Sequence, residues 1–261
     1  MLVIGELING MYTQIGKAIQ SKDKAVIQKV AKDQESAGAD MLDVNTGPAS
    51  SNPVEDMKWL IEVIQEVSNL PLALDSTKPK VIEEGLKLVK VKAMINSTIA
   101  DEERLGALIP LAKQYGASII GLKMDKKGPP QDRHKRSELA AMIVSACMDA
   151  GMDLNDLYID PIILPVNVAQ PQVTEVLETI RDIKLLSDPS PKTVVGLSNV
   201  SQGTKDRNLI NRTFLIMALA CGLEAAIMDP LDKELMEAMI TSELLLNKSI
   251  YCDSFLNAYH K

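Results

Sequence analysis

The chain has 261 residues, 46% of them hydrophobic, and its 35 acidic side chains outnumber 28 basic ones to give a formal charge of −7. This length is sufficient to bury a large core, and an acidic chain with no basic run lacks the charge pattern that binds nucleic acid or anionic lipid. Cys147, Cys221 and Cys252 lie far apart in sequence and indicate neither a disulfide framework nor a cysteine-ligated metal site.

Along the chain, short β-branched apolar runs alternate with longer segments of helical spacing, which is typical of βα units around a parallel sheet. The predicted strands are residues 2–9, 39–45, 72–76, 93–98, 118–123, 157–161, 193–198 and 225–229. Between them, apolar residues recur at helical spacing, as at Met57, Leu60 and Ile61. A long loop is predicted at residues 124–134, and a ninth helix at residues 247–260.

Eight evenly spaced units favour a closed barrel, because an open doubly wound sheet has fewer strands and often a glycine-rich turn after the first. Strand one ends in Gly5-Glu6-Leu7-Ile8-Asn9-Gly10 and lacks GxGxxG spacing. The sequence therefore predicts one α/β domain over residues 1–261, a (β/α)8 TIM barrel with an extra C-terminal helix. The start has no basic leader region and the longest apolar run, residues 214–223, is shorter than the roughly 20 residues that span a bilayer, so we expect a cytoplasmic protein without a membrane partner.

A TIM barrel carries its chemistry at the carboxyl ends of its strands. The polar residues there are Glu6, Asn9, Asp43, Asn45, Asp75, Asn96, Lys123, Asp160, Ser198, Asn199 and Asp229. Any one of them could instead cap a helix, and Asp229 is expected to cap the last one. As a set, carboxylates and carboxamides suit a flat, nitrogen-rich heterocycle such as a pterin or a purine, because they pair with its N–H and C=O groups.

Other chemistries have weaker support in the sequence. The two histidines, His134 in a charged loop and His260 near the terminus, are poorly placed for a metal centre or a catalytic triad, so no metal is expected. Lys123 is interpreted as a solvated lysine at the rim. Residues 132–137 partly match a cobalamin-binding turn but lack its closing glycine, and we interpret them as an exposed loop.

Five short segments together resemble the pterin-binding barrels of methyltetrahydrofolate-dependent methyltransferases. They are DST at 75–77, VIEEGLK at 81–87, INS at 95–97, YIDP at 158–161 and GLSNVSQG at 196–203. The length is most similar to that of the methyltransferase that serves a separate corrinoid iron–sulfur protein in the reductive acetyl-CoA pathway. Cobalamin-dependent methionine synthase carries a similar barrel within a longer chain, with a basic residue where this sequence has Leu7.

The resemblance implies transfer of the N5 methyl group of 5-methyltetrahydrofolate to a Co(I) corrinoid. It assigns Asp75, Asn96 and Asp160 to the pterin ring and Asn199 to N5, as the catalytic residue. It places Gln202 and Arg207 in the loop that contacts substrate or approaches the corrinoid.

Because the chain has no cobalamin motif, the resemblance implies that the corrinoid (cobalamin) arrives on the partner, a corrinoid iron–sulfur protein, and that no cofactor is permanently bound. It also implies a homodimer, for which the apolar C-terminal segment around Leu245 and Ile250 is a candidate interface. Two alternatives stay open: a dihydropteroate synthase-like condensation, and a non-catalytic pterin-binding or docking module. Against the first, the segment after strand seven reads Ser198-Asn199-Val200-Ser201, without the basic residue of that family.

Overall fold

Eight parallel strands close into a barrel in the computed structural model, which describes residues 1–48, 50–130 and 133–259. The strands are β1 (Leu2–Asn9), β2 (Met41–Asn45), β3 (Leu72–Asp75), β4 (Met94–Ile99), β5 (Ser118–Leu122), β6 (Leu157–Asp160), β7 (Lys192–Gly196) and β8 (Ala225–Met228). Each strand pairs with the next, and β8 closes onto β1 through Ile227 and Ile4. The predicted TIM barrel is confirmed, with every predicted strand present to within two residues at either end.

Helices surround the barrel and connect the strands. They are α1 (Thr13–Ser21), α2 (Lys24–Ser36), α3 (Pro53–Gln65), α4 (Pro79–Leu86), α5 (Glu102–Tyr115), α6 (Arg133–Asp149), α7 (Val166–Ala169), α8 (Gln172–Ile183), α9 (Arg207–Ala220), α10 (Lys233–Leu245) and α11 (Phe255–Tyr259). Short 3-10 turns cover Leu154–Asp156 and Leu197–Ser201. Among the described residues, no helix has both the length and the apolar character that a membrane span requires.

Side-chain alternation along the strands separates two apolar layers. The outward-facing residues pack against the helices; on α3, for example, Met57, Leu60 and Ile61 are fully buried, as their spacing predicts. The inward-facing residues form a separate cluster inside the barrel, which includes Ile4, Ala73 and Tyr158. Because successive side chains of a strand point to opposite faces, the residue two positions further along each strand also faces inward. That next layer forms the floor of the barrel mouth.

Local signals define several helix ends, as at α2, α5 and α10. The Asp101 carboxylate accepts a hydrogen bond from the Arg104 amide at the start of α5, and Gly116 ends the same helix in the left-handed conformation. The prediction for Asp229 is wrong: Asp232 caps α10 by accepting from the Leu235 amide. Asp229 instead accepts from the Leu231 amide, within the turn that follows β8. The capping position lies three residues later because that turn separates strand from helix.

The C-terminal segment is less helical than predicted. α10 ends at Leu245, and Asn247 takes a left-handed φ of 58°, which stops the helix. Only α11 is helical beyond it, so the predicted helix at 247–260 is reduced to a short turn, and its last predicted residue lies outside the described part. Leu245 and Ile250 are 81% and 94% exposed. The homodimer interface that they suggested stays a prediction.

The predicted loop at 124–134 is also shorter. α6 begins at Arg133, so His134 lies in the first helical turn rather than in a loop. Residues 131 and 132 lie outside the described part. The last five residues of the segment 132–137 are therefore helical, and the buried residues Leu139 and Ala140 follow them on the same helix.

Candidate active site

The floor of the barrel mouth is a ring of acidic and amide side chains. It follows from the interior cluster by alternation: Glu6 lies two residues beyond Ile4, Asp75 beyond Ala73, and Asp160 beyond Tyr158. The same step on the other strands gives Asp43, Asn96, Leu122, Gly196 and Ile227, and Asp229 lies two residues further, beyond β8. Four carboxylates and one carboxamide thus face one another across the open end of the barrel, and the Asp229 carboxylate lies one step further along the chain, just beyond β8.

Asp75 and Asn96 are neighbours in register on β3 and β4. The Asp75 carboxylate accepts a hydrogen bond of 2.6 Å from the Asn45 amide, which fixes its orientation. Asn45 in turn accepts from the Gly47 amide at 2.7 Å and is anchored to the loop after β2. Burial raises the pKa of Asp75, and the Asn45 bond acts in the opposite direction.

Asp43 holds the Asn96 side chain through a hydrogen bond. It is 3% exposed, and the Asn96 amide donates to its carboxylate at 2.9 Å. Because the Asn96 NH2 group is used in this way, its carbonyl oxygen is the group left to accept from a ligand. Burial, together with the negative charge of Asp75, raises the pKa of Asp43 well above its usual range. The sequence places Asp43 among the polar strand ends but assigns it no role. Its position two residues after Met41, which faces the barrel interior, is the signal that Asp43 faces inward as well.

Asp160 ends β6 on the other side of the mouth. Its carboxylate accepts from the Ile162 amide at 2.7 Å and also from the Gly196 amide, yet burial outweighs both bonds and raises its pKa to about 7. The side chain is 8% exposed. Burial therefore favours the neutral acid form of Asp160 over a wider pH range than for an ordinary aspartate.

Asn199 is the exposed residue of the 3-10 turn Leu197–Ser201 that follows β7, in which Leu197, Val200 and Ser201 are buried. The Gln202 amide donates to the Asn199 carbonyl oxygen at 3.2 Å and closes this turn. The Gln202 side chain is exposed. The structure therefore places Asn199 and Gln202 at the rim, whereas Asp75, Asn96 and Asp160 form part of the floor.

Arg207, the first residue of α9, folds back onto the same turn. Its guanidinium donates to the Ser201 hydroxyl at 3.2 Å and to the Ser198 carbonyl oxygen at 3.3 Å. These bonds stabilise the turn that carries Asn199. Arg207 is exposed at the rim, as the resemblance implies, and it also makes hydrogen bonds to the turn at Leu197–Ser201 that the sequence does not reveal.

A polar cavity of about 730 Å³ adjoins this turn between β1, β7 and β8, and it is lined by residues that include Glu6, Ser198, Arg207 and Asp229. The Ser198 hydroxyl donates to Glu6 at 2.6 Å. Burial raises the pKa of Glu6 and the charge of Asp229 adds to this, although the Ser198 bond opposes it. A second cavity of about 490 Å³, between the loops after β1, β2 and β3, reaches Asp75 from the opposite side.

The predicted exposure of two basic side chains is wrong. Lys123 is 1% exposed and is not a solvated rim residue. Gly121, two residues earlier, faces Ile143 of α6, so that helix covers the outside of β5 near its end. Arg136, predicted to be in an exposed loop, is also 1% exposed. Arg136 is covered because α6 begins as early as Arg133 and packs against β5 and β6.

The floor suits a ligand that presents several N–H donors along one flat edge. Ionised carboxylates accept such donors in pairs, and a neutral carboxyl group donates to a ring oxygen or nitrogen. Because burial and mutual repulsion favour the neutral acids in the free protein, a ligand that donates to them should displace protons when it binds.

Comparisons with known proteins give the family and the fold of the chain. The pattern of the family described as pterin binding enzyme matches residues 13–229. A methylcorrinoid:tetrahydrofolate methyltransferase of Eubacterium limosum is 28% identical over 100% of this chain and 97% of its own length. Methionine synthase of Mycobacterium leprae is 30% identical over 87% of this chain, which corresponds to 20% of that protein. Among solved structures, a Yersinia pestis DHPS with a pterine-sulfa conjugate has a TM-score of 0.67 at 19% identity, covering 94% of this chain and 93% of that one, and shares the fold.

Proposed function

The chain belongs to the family of pterin-binding enzymes, and on that premise we propose that it transfers a methyl group between N5 of tetrahydrofolate and the cobalt of a corrinoid carried by a separate protein. The proposal extends to the partner, a corrinoid iron–sulfur protein. The Eubacterium limosum relative, named for methylcorrinoid and tetrahydrofolate, matches along the whole chain and supports this reaction class.

The observation that carries the proposal is the layer in which Asp75, Asn96 and Asp160 share one floor beneath the rim residue Asn199. In the proposed complex, the pterin ring lies on that floor and its amino and ring N–H groups donate to the two carboxylates. Asn96, held by Asp43 at 2.9 Å, presents its carbonyl oxygen to the same edge. The methylated N5 then faces the open mouth, where a second large substrate has access.

The chemistry is a nucleophilic displacement. In the direction from folate to corrinoid, the Co(I) electron pair forms the cobalt–carbon bond, the pair of the N5–methyl bond returns to N5, and N5 takes up one proton from solvent. An amine leaves poorly without a hydrogen bond to stabilise the developing charge. We propose that the Asn199 carboxamide donates to N5 more strongly in the transition state than in the ground state, while the floor residues fix the methyl group in line.

A spectroscopic assay tests this function. The protein is mixed with 5-methyltetrahydrofolate and reduced free cobalamin, and methylcobalamin is followed by its absorption; the reverse reaction starts from methylcobalamin and tetrahydrofolate. Growth of the product spectrum in either direction supports the proposal. Folate binding without turnover in both directions contradicts it and supports a docking module. Condensation of a pterin pyrophosphate with p-aminobenzoate supports the synthase alternative.

The partner is tested with purified corrinoid proteins that either contain or lack an iron–sulfur cluster. We expect a higher kcat/KM with the cluster-containing carrier. A preference for the cluster-free carrier would refute the identity of the partner without affecting the methyl transfer itself.

A further inference from the structure

A buried arginine outside the floor connects two loops that flank Asp160. Arg136 lies in the first turns of α6 and is 1% exposed, which makes it one of the largest fully buried side chains of the described chain. Its guanidinium donates to the Pro130 carbonyl oxygen at 2.9 Å, to the Pro161 carbonyl oxygen at 3.2 Å and to the Gln172 side-chain oxygen at 2.6 Å.

All three of these acceptors are uncharged. Burial lowers the pKa of Arg136, and the negative charge of Glu175 on α8 acts in the opposite direction. A guanidinium loses its hydration when it is buried. Neutral acceptors compensate for less of that loss than a paired carboxylate does, so this arrangement contributes little to stability. A planar group with several donors in a fixed fork is, however, well suited to hold separate backbone segments in one arrangement. The three acceptors belong to the loop after β5, the loop after β6 and the start of α8.

The segment held by Arg136 begins directly after Asp160. Pro161 supplies the bonded carbonyl, and the next residue, Ile162, has a φ of 62°. The left-handed region is strongly disfavoured for a β-branched residue, so this turn persists only if its surroundings enforce it. The Ile162 amide donates to the Asp160 carboxylate at 2.7 Å. The direction of that carboxylate is therefore coupled to a strained turn.

We propose that Arg136 is a positioning residue for the folate site: by holding the Pro161 carbonyl, it keeps the Asp160–Ile162 turn in the conformation that directs the Asp160 carboxyl group into the barrel mouth. This role rests on the proposed function, in which Asp160 contacts the pterin. The guanidinium acts through the turn and does not touch the substrate.

The first test measures folate binding in Arg136→Met, which keeps much of the side-chain volume and removes the donors. We expect Kd for 5-methyltetrahydrofolate to rise at least tenfold, while kcat at saturating folate and KM for the corrinoid change less than threefold. Arg181→Met removes an exposed arginine of α8 that pairs with Glu178 and should change none of these values. An unchanged folate Kd in Arg136→Met would overturn the proposal.

A second control separates positioning from loss of stability. Leu60→Ala creates a cavity under α3 and is expected to destabilise the protein. Helix α3 follows β2, the strand that lies across the barrel from β6, so this cavity is far from Asp160. Measured at a temperature where both variants are folded, Leu60→Ala should retain the wild-type folate Kd. Equal weakening of binding in Leu60→Ala and Arg136→Met would mean that Arg136 acts through general stability only. If Arg136→Met does not fold, Arg136→Lys keeps the charge but lacks the planar fork of donors that reaches the Pro161 carbonyl. It should raise Kd about threefold, whereas an unchanged Kd would overturn the proposal.

The most specific test is rescue by relief of strain. Glycine adopts a φ of 62° at little cost, so Ile162→Gly should reduce the requirement for Arg136. We expect the double variant Arg136→Met, Ile162→Gly to recover at least half of the lost binding free energy. If the double variant recovers none of the lost binding free energy, the coupling through the turn is contradicted.

Hydrogen exchange gives a readout that does not depend on folate. The Ile162 amide, bonded to Asp160, should exchange at least tenfold faster in Arg136→Met than in Leu60→Ala. If the wild-type protein binds no folate, the proposed function fails, and the exchange rate still decides whether Arg136 holds the turn. Equal exchange rates in the two variants would refute the positioning role.

Discussion

Replacement of Asp160 by asparagine tests how the barrel mouth is built. The carboxyl group is buried, and its pKa of about 7 compares with an ordinary value of 3.8. The asparagine side chain has nearly the same shape, and its oxygen would still accept from the Ile162 amide. The change therefore removes the titration of the group while leaving the turn in place.

The sign of the effect follows from linkage. The folded pKa is higher than the unfolded pKa, so the folded protein binds this proton more tightly and loses stability as pH rises from about 4 to above 7. One pKa unit corresponds to about 1.4 kcal/mol, so the shift from 3.8 to about 7 costs roughly 4 kcal/mol at pH 8 and less than about 2 kcal/mol at pH 5. Loss of the Gly196 hydrogen bond offsets about 1 kcal/mol of the gain from Asp160→Asn at either pH.

Urea denaturation at pH 8 and pH 5 measures this difference. We expect Asp160→Asn to be more stable than the wild type by about 3 kcal/mol at pH 8, and the advantage should shrink by about 2 kcal/mol or more at pH 5. Despite this greater stability, the variant should bind 5-methyltetrahydrofolate more weakly. An advantage that is the same at both pH values would refute the account, because Asp160 would then not carry a raised pKa in the folded protein.

Further predictions concern the folate reaction. Asn199→Ala should lower kcat by about 10²–10³, in line with the loss of a single transition-state donor, and wild-type turnover in the methylcobalamin assay would refute its role. Asp75→Ala should instead weaken folate binding, because that contact forms in the ground state as well; unchanged affinity by titration calorimetry would contradict the pterin-edge assignment. In the wild type, folate affinity should increase about tenfold between pH 6 and pH 8 as Asp160 ionises, and the increase should be absent in Asp160→Asn. A pH-independent affinity in the wild type would show that folate does not require the ionised carboxylate.

The strand ends were accessible to sequence reasoning because the barrel is built from a repeated local pattern. β-branched runs, helical stripes and caps such as Asp101 are short-range signals, and the two-residue period then places Asp75, Asn96 and Asp160 on one face. The assignment of these residues to a pterin remains a prediction, supported by the family to which the chain belongs.

The remaining features depend on contacts between distant segments. Asp43 is recognisable as a strand end, but its bond to Asn96 joins residues 53 positions apart. Arg136 lies in a charged stretch that looks solvent-exposed, and only the packing of α6 beside β6 buries it. The C-terminal helix is shorter than the sequence predicts. An apolar composition does not show that Asn247 adopts a left-handed conformation, which ends the preceding helix.

A crystal structure of the protein with 5-methyltetrahydrofolate tests the central claim most directly. We predict that the pterin edge contacts Asp75, Asn96 and Asp160, that N5 lies within hydrogen-bonding distance of the Asn199 carboxamide, and that the methyl group faces the open mouth. A pterin bound outside the barrel mouth, or bound there with N5 turned toward the floor, would contradict it.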